Sequence, residues 1–197
     1  MVAGGCYYGP DHPRRMAQAE PPYQDNSTPG TRVIVYDGDD QPQMKLRVRS
    51  RRTRVYDASM IPVGQVRPGE DSLEQRSRDG KSTAIVTGDG GGGELPDTWR
   101  LKAHGPDRWI VADGQGSPIA ELYRDDDRWT LNLSDDPLRQ LYVDRHQNPP
   151  VVVTDGGDRL LTVPRQDWSD PKLLLLTLDT FSPLDRYTLA LFGDQRL

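Results

Sequence analysis

The sequence VIVYDGDDQPQMKLRV, residues 33–48, contains the unit that decides the predicted fold. An apolar run ends at Asp37, a short polar turn follows, and Pro42 opens a second run in which apolar and basic residues alternate. An aspartate at such a position can hydrogen-bond the turn backbone, and proline is tolerated at the start of a returning strand. The unit therefore predicts an antiparallel β-hairpin.

The same unit recurs three more times along the chain. Strand, aspartate, turn, proline and strand follow one another around Asp57, Asp113 and Asp144. We interpret these aspartates as turn-forming residues rather than as catalytic or metal-binding groups. The repeat indicates a chain built of neighbouring hairpins.

Short alternating runs extend this pattern and predict twelve strands. The connections are mostly of hairpin length, so neighbouring strands should be antiparallel. A closed antiparallel barrel has no free edges and fits this pattern; another antiparallel barrel or a sandwich is the alternative. The predicted strands are 32–37, 43–49, 53–58, 62–67, 83–87, 98–104, 108–113, 118–124, 128–133, 139–143, 150–154 and 159–163.

The connection between Pro68 and Gly93, interrupted only by the strand at 83–87, ends in the string GDGGGG at 88–93. The string matches G-x-G-x-x-G, but a strand follows it where a dinucleotide site needs a helix. We therefore predict no nucleotide site here and interpret the segment as a flexible linker between two halves of the sheet.

The C-terminal part predicts helix. Ser169-Asp170-Pro171 is a typical helix start, and the leucines between 173 and 178 would cover nearly every side of the helix that follows. Such a helix is buried all round and could fill the interior of a wide barrel. Ser182-Pro183 then breaks the chain before a second apolar segment at 184–192. A strand at 172–180 is the alternative, because short apolar runs are ambiguous.

Composition excludes several classes of protein. Residues 1–30 are rich in proline, glycine and polar residues without periodicity, so we predict a disordered or partner-docking arm before a single domain at 31–197. The net charge of −5 argues against general binding to nucleic acid or anionic membrane. No apolar run approaches the length of a transmembrane segment. The single cysteine, Cys6, excludes an intramolecular disulfide and favours a reducing compartment, so a cytoplasmic location is expected.

Few residues could carry catalytic or metal chemistry. One cysteine and three histidines cannot form an ordinary zinc site. The acidic clusters at 125–127 and 135–136 lack the alternating ligands of a calcium loop. We interpret them as solvated turns, with a weak cation site as the alternative. We predict no catalytic residue, no metal and no cofactor, and an enzyme is not favoured.

The segment KLRVRSRRTR, residues 45–54, has six basic residues in ten. Alternate residues of a strand share a face, so Lys45, Arg47 and Arg49 should line one face, and Arg52 and Arg54 should return on the next strand. Arginine suits phosphate or carboxylate, which predicts an anion site for a lipid headgroup or an acidic protein; a solvated face paired to acidic turns is the alternative. Nucleic acid is not expected, since the segment lacks aromatics for stacking. The predicted ligand-binding residues are Lys45, Arg47, Arg49, Arg51, Arg52 and Arg54.

The chain resembles the tubby, phospholipid-scramblase and LURP-one-related superfamily across residues 31–193. The resembling residues are Arg54-Val55-Tyr56-Asp57 with Pro62-Val63-Gly64-Gln65-Val66, Ala112-Asp113 with Pro118-Ile119-Ala120-Glu121-Leu122, and the leucine-rich helix. The resemblance implies a twelve-stranded barrel around a C-terminal helix. It also favours lipid phosphate as the ligand of residues 45–54, because tubby-type domains bind phosphoinositides.

These features lead to two functional hypotheses. The first is a non-enzymatic binding module, cytoplasmic or peripheral to a membrane, that holds an anionic phospholipid headgroup on residues 45–54. The second is a structural or assembly protein that docks on other subunits through residues 1–30 and the same basic face.

Overall fold

The computed structural model describes residues 31–69, 72–87 and 92–196 of the 197-residue chain. The arm predicted at 1–30 lies outside the described residues. The elements are β1 (Arg32–Asp37), β2 (Pro42–Arg49), β3 (Arg52–Tyr56), β4 (Pro62–Pro68), β5 (Leu73–Ser77), β6 (Ser82–Thr87), β7 (Gly93–Leu95), β8 (Trp99–Ala103), β9 (Arg108–Asp113), β10 (Pro118–Asp125), β11 (Arg128–Leu133), β12 (Gln140–Asp144), β13 (Val151–Thr154), β14 (Arg159–Thr162), α1 (Asp170–Leu175) and α2 (Pro183–Arg196).

The strands form one closed antiparallel barrel. Each strand pairs with the next in sequence, and β14 returns to β1 with Tyr36 opposite Thr162. Closure leaves no free sheet edge. The predicted mainly β class and closed barrel are confirmed, and the sandwich alternative is wrong. The predicted count of twelve strands is also wrong, because the described residues form fourteen.

Of the two additional strands, β5 lies in the segment between Pro68 and Gly93, and β7 begins at Gly93, the last residue of that segment. In β5 the inward residues are Leu73 and Gln75, both buried, so a polar residue interrupts the apolar alternation. In β7 the first residue is Gly93, and a Cβ added there would lie 2.3 Å from Cζ of Phe192. The prediction of a linker there is therefore wrong for Gly93, while residues 88–91 lie outside the described part.

The two helices fill the interior of the barrel. The Ser169 side chain caps α1 by accepting a hydrogen bond from the Lys172 backbone N at 3.3 Å, as predicted. Helix α1 packs against β11 and β12, while α2 packs against β3, β4, β5 and β8. Leucines 173–176 are all buried, which confirms the buried helix and shows that the strand alternative is wrong. The second apolar segment is the longer helix, α2.

Inward polar side chains of the strands form hydrogen bonds with α2. Gln75 donates from Nε2 to Asp185 at 2.7 Å and accepts at Oε1 from the Thr188 hydroxyl at 2.7 Å. The Tyr187 hydroxyl lies 3.2 Å from Oγ1 of Thr53 in β3. Because buried polar groups need partners, these contacts fix the rotation of α2 inside the barrel.

The repeated aspartates form turns, as predicted. Oδ1 of Asp37 accepts hydrogen bonds from the backbone N of Gln41 at 2.8 Å and of Asp39 at 3.0 Å. Asp113 makes both equivalent bonds in its own turn, and Asp57 accepts one, from the backbone N of Ile61. The hydrogen bond from the Gln41 backbone is the main reason that the pKa of Asp37 lies below its usual value, since it favours the ionised carboxylate.

The turns after Asp37, Asp57 and Asp113 lie at one end of the barrel, here called the Asp-turn end. In an up-and-down barrel, connections from odd to even strands all lie at the same end, and these three join β1 to β2, β3 to β4 and β9 to β10. Asp144 precedes the connection from β12 to β13 and therefore lies at the opposite end. The connection from α1 to α2 also lies at the Asp-turn end, because Thr177 and Asp179 share a cleft with the turn after Asp37.

Several turns at the Asp-turn end contain a residue in the left-handed conformation. Met60 has φ of 63° in one turn, and Gly80 has φ of 89° in the equivalent turn between β5 and β6. This geometry closes a three-residue hairpin loop. A side chain is disfavoured there, whereas glycine adopts the conformation readily.

We expect Met60→Gly to raise the free energy of unfolding by about 0.5–1 kcal/mol, since the strain of a left-handed Cβ exceeds the entropy that glycine loses on folding. The reciprocal control is Gly80→Ala, where nothing lies within 4 Å of the added Cβ and only backbone strain can act. This control should lower stability. Urea unfolding measures both variants, and changes of the same sign would contradict the expectation.

A basic face on the barrel wall

All six predicted ligand-binding residues lie on the hairpin formed by β2 and β3, here called the basic hairpin (42–56). Lys45, Arg47 and Arg49 are in β2, Arg52 and Arg54 are in β3, and Arg51 is in the turn between them. This turn lies at the end of the barrel opposite the Asp-turn end. The structure thus brings together all the residues predicted from sequence.

Alternation along β2 and β3 turns the arginines outward. Leu46 and Val55 are completely buried in the core, and Arg47 and Arg54 are their sequence neighbours. Because successive side chains point to opposite faces of a strand, these two arginines lie on the outer surface.

The register places like charges directly opposite each other. Arg47 pairs with Arg54 and Arg49 pairs with Arg52 across the two strands. Side chains in such positions have Cβ atoms about 5 Å apart, and like charges there destabilise a sheet. Two adjacent pairs of this kind concentrate four positive charges on one short hairpin.

Neighbouring strands extend the positive charge. Arg32 of β1 pairs with Arg47 of β2. Gln65 of β4 pairs with Arg54 on one side and with Arg76 of β5 on the other, so these residues form one row across the sheet. Arg67 follows Val66, which pairs with Thr53, so it lies next to Arg52 in the register. We call the resulting outer surface the basic face; it consists of Arg32, Arg47, Arg49, Arg52, Arg54, Arg67 and Arg76.

Most arginines of the basic face have no acidic partner among the described residues. Arg67 lies 4.0 Å from Glu74, but within the described ranges no ion pair or side-chain hydrogen bond involves Arg47, Arg49, Arg52, Arg54 or Arg76. The alternative interpretation, a face paired to acidic turns, is not what these contacts show. Glu70 and Asp71 stand between β4 and β5 in the sequence and lie outside the described residues.

Several arginines elsewhere on the barrel are paired. Arg100 lies 3.2 Å from Glu94, Arg159 lies 2.8 Å from Asp40, and Arg108 pairs with Glu121. In each case a carboxylate on a neighbouring strand or turn reaches the guanidinium. The unpaired arginines of the basic face therefore differ from these arginines of the same sheet.

A cleft of about 700 Å³ lies beside the basic face, between the basic hairpin and the hairpin of β4 and β5. Arg49, Arg51, Arg52 and Arg67 contribute guanidinium groups to it, and Ser50 and Ser72 contribute hydroxyl groups. These are groups that donate hydrogen bonds to oxyanions. The cleft could hold a phosphorylated group of moderate size.

The described residues offer little for other chemistry. They contain no group of three histidine, cysteine or acidic residues arranged to hold a metal. Neither helix in this part of the chain is long and apolar enough to span a membrane. Cys6 and His12 lie outside the described residues.

Sequence reasoning missed three members of the basic face. Arg32 and Arg67 are each next to an inward valine in a predicted strand, so strict alternation could have placed them outward. Arg76 could not be placed, because β5 was not predicted. The polar inward residue Gln75 concealed the periodicity of that strand.

Comparisons with protein-family models, curated proteins and solved structures found no match to this chain. The described residues form fourteen strands and two helices, whereas the resemblance implied twelve strands around one helix. That resemblance contributes to the proposal below only through the residue pattern that carries it.

Proposed function

We propose that this protein is a non-enzymatic binding module whose basic face holds the phosphorylated headgroup of an anionic lipid. The observation that carries the proposal is the register of the basic hairpin, in which two arginine pairs face each other across adjacent strands. These arginines have no acidic partner among the described residues. A bound polyanion would remove the repulsion that the unliganded hairpin contains.

The chemistry of the face suits phosphate. Arginine presents a planar fork of donors that matches phosphate oxygens, and several forks together can bind a headgroup with more than one phosphate. The cleft beside Arg49 and Arg52 adds two serine hydroxyls to these donors. The resemblance to tubby-type domains supports the same class of ligand.

The distribution of charge favours a membrane surface over a free anion. The basic face occupies β1 to β5, whereas the acidic cluster 125–127 lies across the barrel, where β10 leads to β11. An anionic bilayer attracts basic residues close to it, and the attraction decays within about a Debye length. The barrel would therefore dock with its basic face towards the lipid and the acidic cluster 125–127 away from it, despite a net charge of −5.

We expect Arg47→Glu/Arg49→Glu to abolish binding to anionic vesicles while keeping the fold intact. Each basic residue near an anionic surface contributes about 1 kcal/mol, so losing two should weaken binding by at least roughly 30-fold. The new carboxylates would lie opposite Arg54 and Arg52, which should stabilise the sheet by about 0.2–1 kcal/mol per pair. Flotation with vesicles of phosphatidylcholine, with and without anionic lipid, measures binding, and urea unfolding measures stability.

The matched control is Lys102→Glu/Arg128→Glu, which makes the same change in net charge on β8 and β11, across the barrel. It should leave binding nearly unchanged. A soluble inositol phosphate that displaces the wild-type protein from vesicles would identify the headgroup as the ligand. Equal flotation of the wild-type protein and the Arg47→Glu/Arg49→Glu variant would overturn the proposal. Capture of an acidic protein in place of lipid would redirect it to assembly.

A further inference from the structure

A second, separate site lies at the Asp-turn end, around Arg186 in the first part of α2. The Arg186 side chain enters the barrel, and the residue is only 6% exposed. Burial lowers the pKa of its guanidinium, and the nearby charge of Asp179 opposes that shift. A buried charge is costly unless it is paired and hydrogen-bonded.

The hydrogen bonds of Arg186 are far from complete. A guanidinium has five N–H donors. Nη1 donates to the Leu176 carbonyl at 3.5 Å, which is at the outer limit for a hydrogen bond. Nε is buried and has no partner, and no carboxylate of the described residues lies within 4.0 Å of the group. The buried guanidinium therefore has donors available for a further acceptor.

Arg186 lines a cleft of about 490 Å³ that opens at the Asp-turn end. Its wall is formed by the turn after Asp37, the starts of β12 and β14, and the connection between the helices. Binding pockets for small molecules fall in this range of size. Arg139, also in the wall, has no ion pair or side-chain hydrogen bond with any described residue.

The carboxylates of the cleft do not neutralise Arg186. The Asp37 carboxylate accepts hydrogen bonds within its own turn and from Gln43. Asp39, Asp158 and Asp179 are exposed at the rim. The cleft thus combines the buried guanidinium of Arg186 with four carboxylates and two further arginines, Arg139 and Arg159, and this mixed charge favours one carboxylate on the ligand over a polyanion.

We propose that this cleft binds a small carboxylate-bearing molecule, whose carboxylate pairs with Arg186 and whose outer end can carry an amino group towards the rim aspartates. Arg–carboxylate pairs form two parallel hydrogen bonds. The ligand would supply the acceptors that Arg186 lacks. The site is independent of the basic face, which lies on the outer wall and selects polyanions.

Two other occupants would also satisfy Arg186. Ordered water can bridge buried polar groups when space allows, and Asp179 could turn inward to pair with the guanidinium. Both make Arg186 a purely structural residue. In either case the wild-type protein would show no response to a ligand, and replacing Arg186 would change only the stability of the protein.

The test measures melting temperature and titration calorimetry of the full chain with acetate, alanine, inorganic phosphate and citrate as probes. We expect acetate or alanine to raise the melting temperature saturably in the wild type and not in Arg186→Met, with citrate giving the smaller response. Without probe, Arg186→Met should be at least as stable as the wild type, because it removes an unpaired buried charge while keeping side-chain volume.

Arg47→Glu/Arg49→Glu is the control, and it should keep the response to the probes. This control separates the proposal from the function proposed for the basic face, whereas Asp179→Asn tests whether Asp179 itself pairs with Arg186. The proposal is overturned if neither acetate nor alanine distinguishes the wild type from Arg186→Met. It is also overturned if Asp179→Asn alone lowers stability as much as removing a buried ion-pair partner would.

Discussion

Leu174→Ala should lower the free energy of unfolding by about 3 kcal/mol, within the range measured for buried leucines. Leu174 is completely buried in α1, inside the barrel. Alanine forms helix at least as well as leucine, so the loss would come from packing and from the cavity. In a chain of this size the melting temperature should fall by roughly 6–12 °C.

The matched control is Leu138→Ala, because Leu138 is 88% exposed in the connection before β12. The same chemical change there should alter stability by less than about 0.5 kcal/mol. Urea unfolding of the two variants under one set of conditions makes the comparison. Similar losses at both positions would contradict the placement of α1 within the barrel.

Asp194→Ala should cost about 3 kcal/mol, because it leaves a buried ammonium without its partner. Nζ of Lys172 lies 2.8 Å from Oδ2 of Asp194 and 4.5 Å from the centre of the Trp168 ring, and Lys172 is only 6% exposed. Oδ1 of Asp194 also accepts a hydrogen bond from the Ser169 hydroxyl at 2.5 Å. One carboxylate thus joins the end of α2 to the start of α1.

The double variant Lys172→Met/Asp194→Ala is the informative control. It removes both charges and keeps apolar volume beside Trp168, so it should recover most of the stability that the single variant loses. Glu94→Ala breaks an exposed pair with Arg100 and should cost at most about 1 kcal/mol. Chemical unfolding measures all three variants. If the double variant were less stable than Asp194→Ala, the loss could not be attributed to the unpaired ammonium.

The parts of the fold that sequence predicted are those in which local chemistry and burial agree. Each Asp–turn–Pro unit combines a turn-forming carboxylate with alternating side chains, so Asp37 and Asp113 marked their hairpins correctly. Ser169 and Pro171 marked the start of α1 for the same kind of reason, since a cap depends only on neighbouring residues. The buried leucines that follow then identified the helix as an internal one.

The missed strands depend on partners that are distant in sequence. Gln75 faces inward because Asp185 and Thr188 of α2 bond to it, and nothing near Gln75 reveals that. Gly93 is required by the ring of Phe192, which lies almost a hundred residues away. Where tertiary contacts decide which residue points inward, alternation of apolar residues does not identify the strand.

The candidate sites also divide into features that neighbouring residues reveal and features that only contacts distant in sequence determine. The basic hairpin was predicted because its charges lie within ten consecutive residues, whereas Arg76 depends on a strand that was not predicted. Nothing in the sequence marked Arg186 as a candidate site residue, because it is one arginine within the second apolar segment. Its importance arises only from the fold, which buries it opposite turns more than a hundred residues earlier.

The order of elements along the chain has a consequence for biosynthesis. The wall occupies residues 32–162, and the helices that fill it come afterwards. The strands would therefore leave the ribosome before the helices that pack inside them have been synthesised. Strand β1 would gain its second neighbouring strand only after β14 had been made. Because a barrel without its contents would expose its apolar inner face, closure must be coupled to the arrival of the last two helices. The barrel is thus expected to complete its folding only once residues 170–196 have left the ribosome, and stronger chaperone capture of nascent chains lacking these residues than of chains containing them would support that timing.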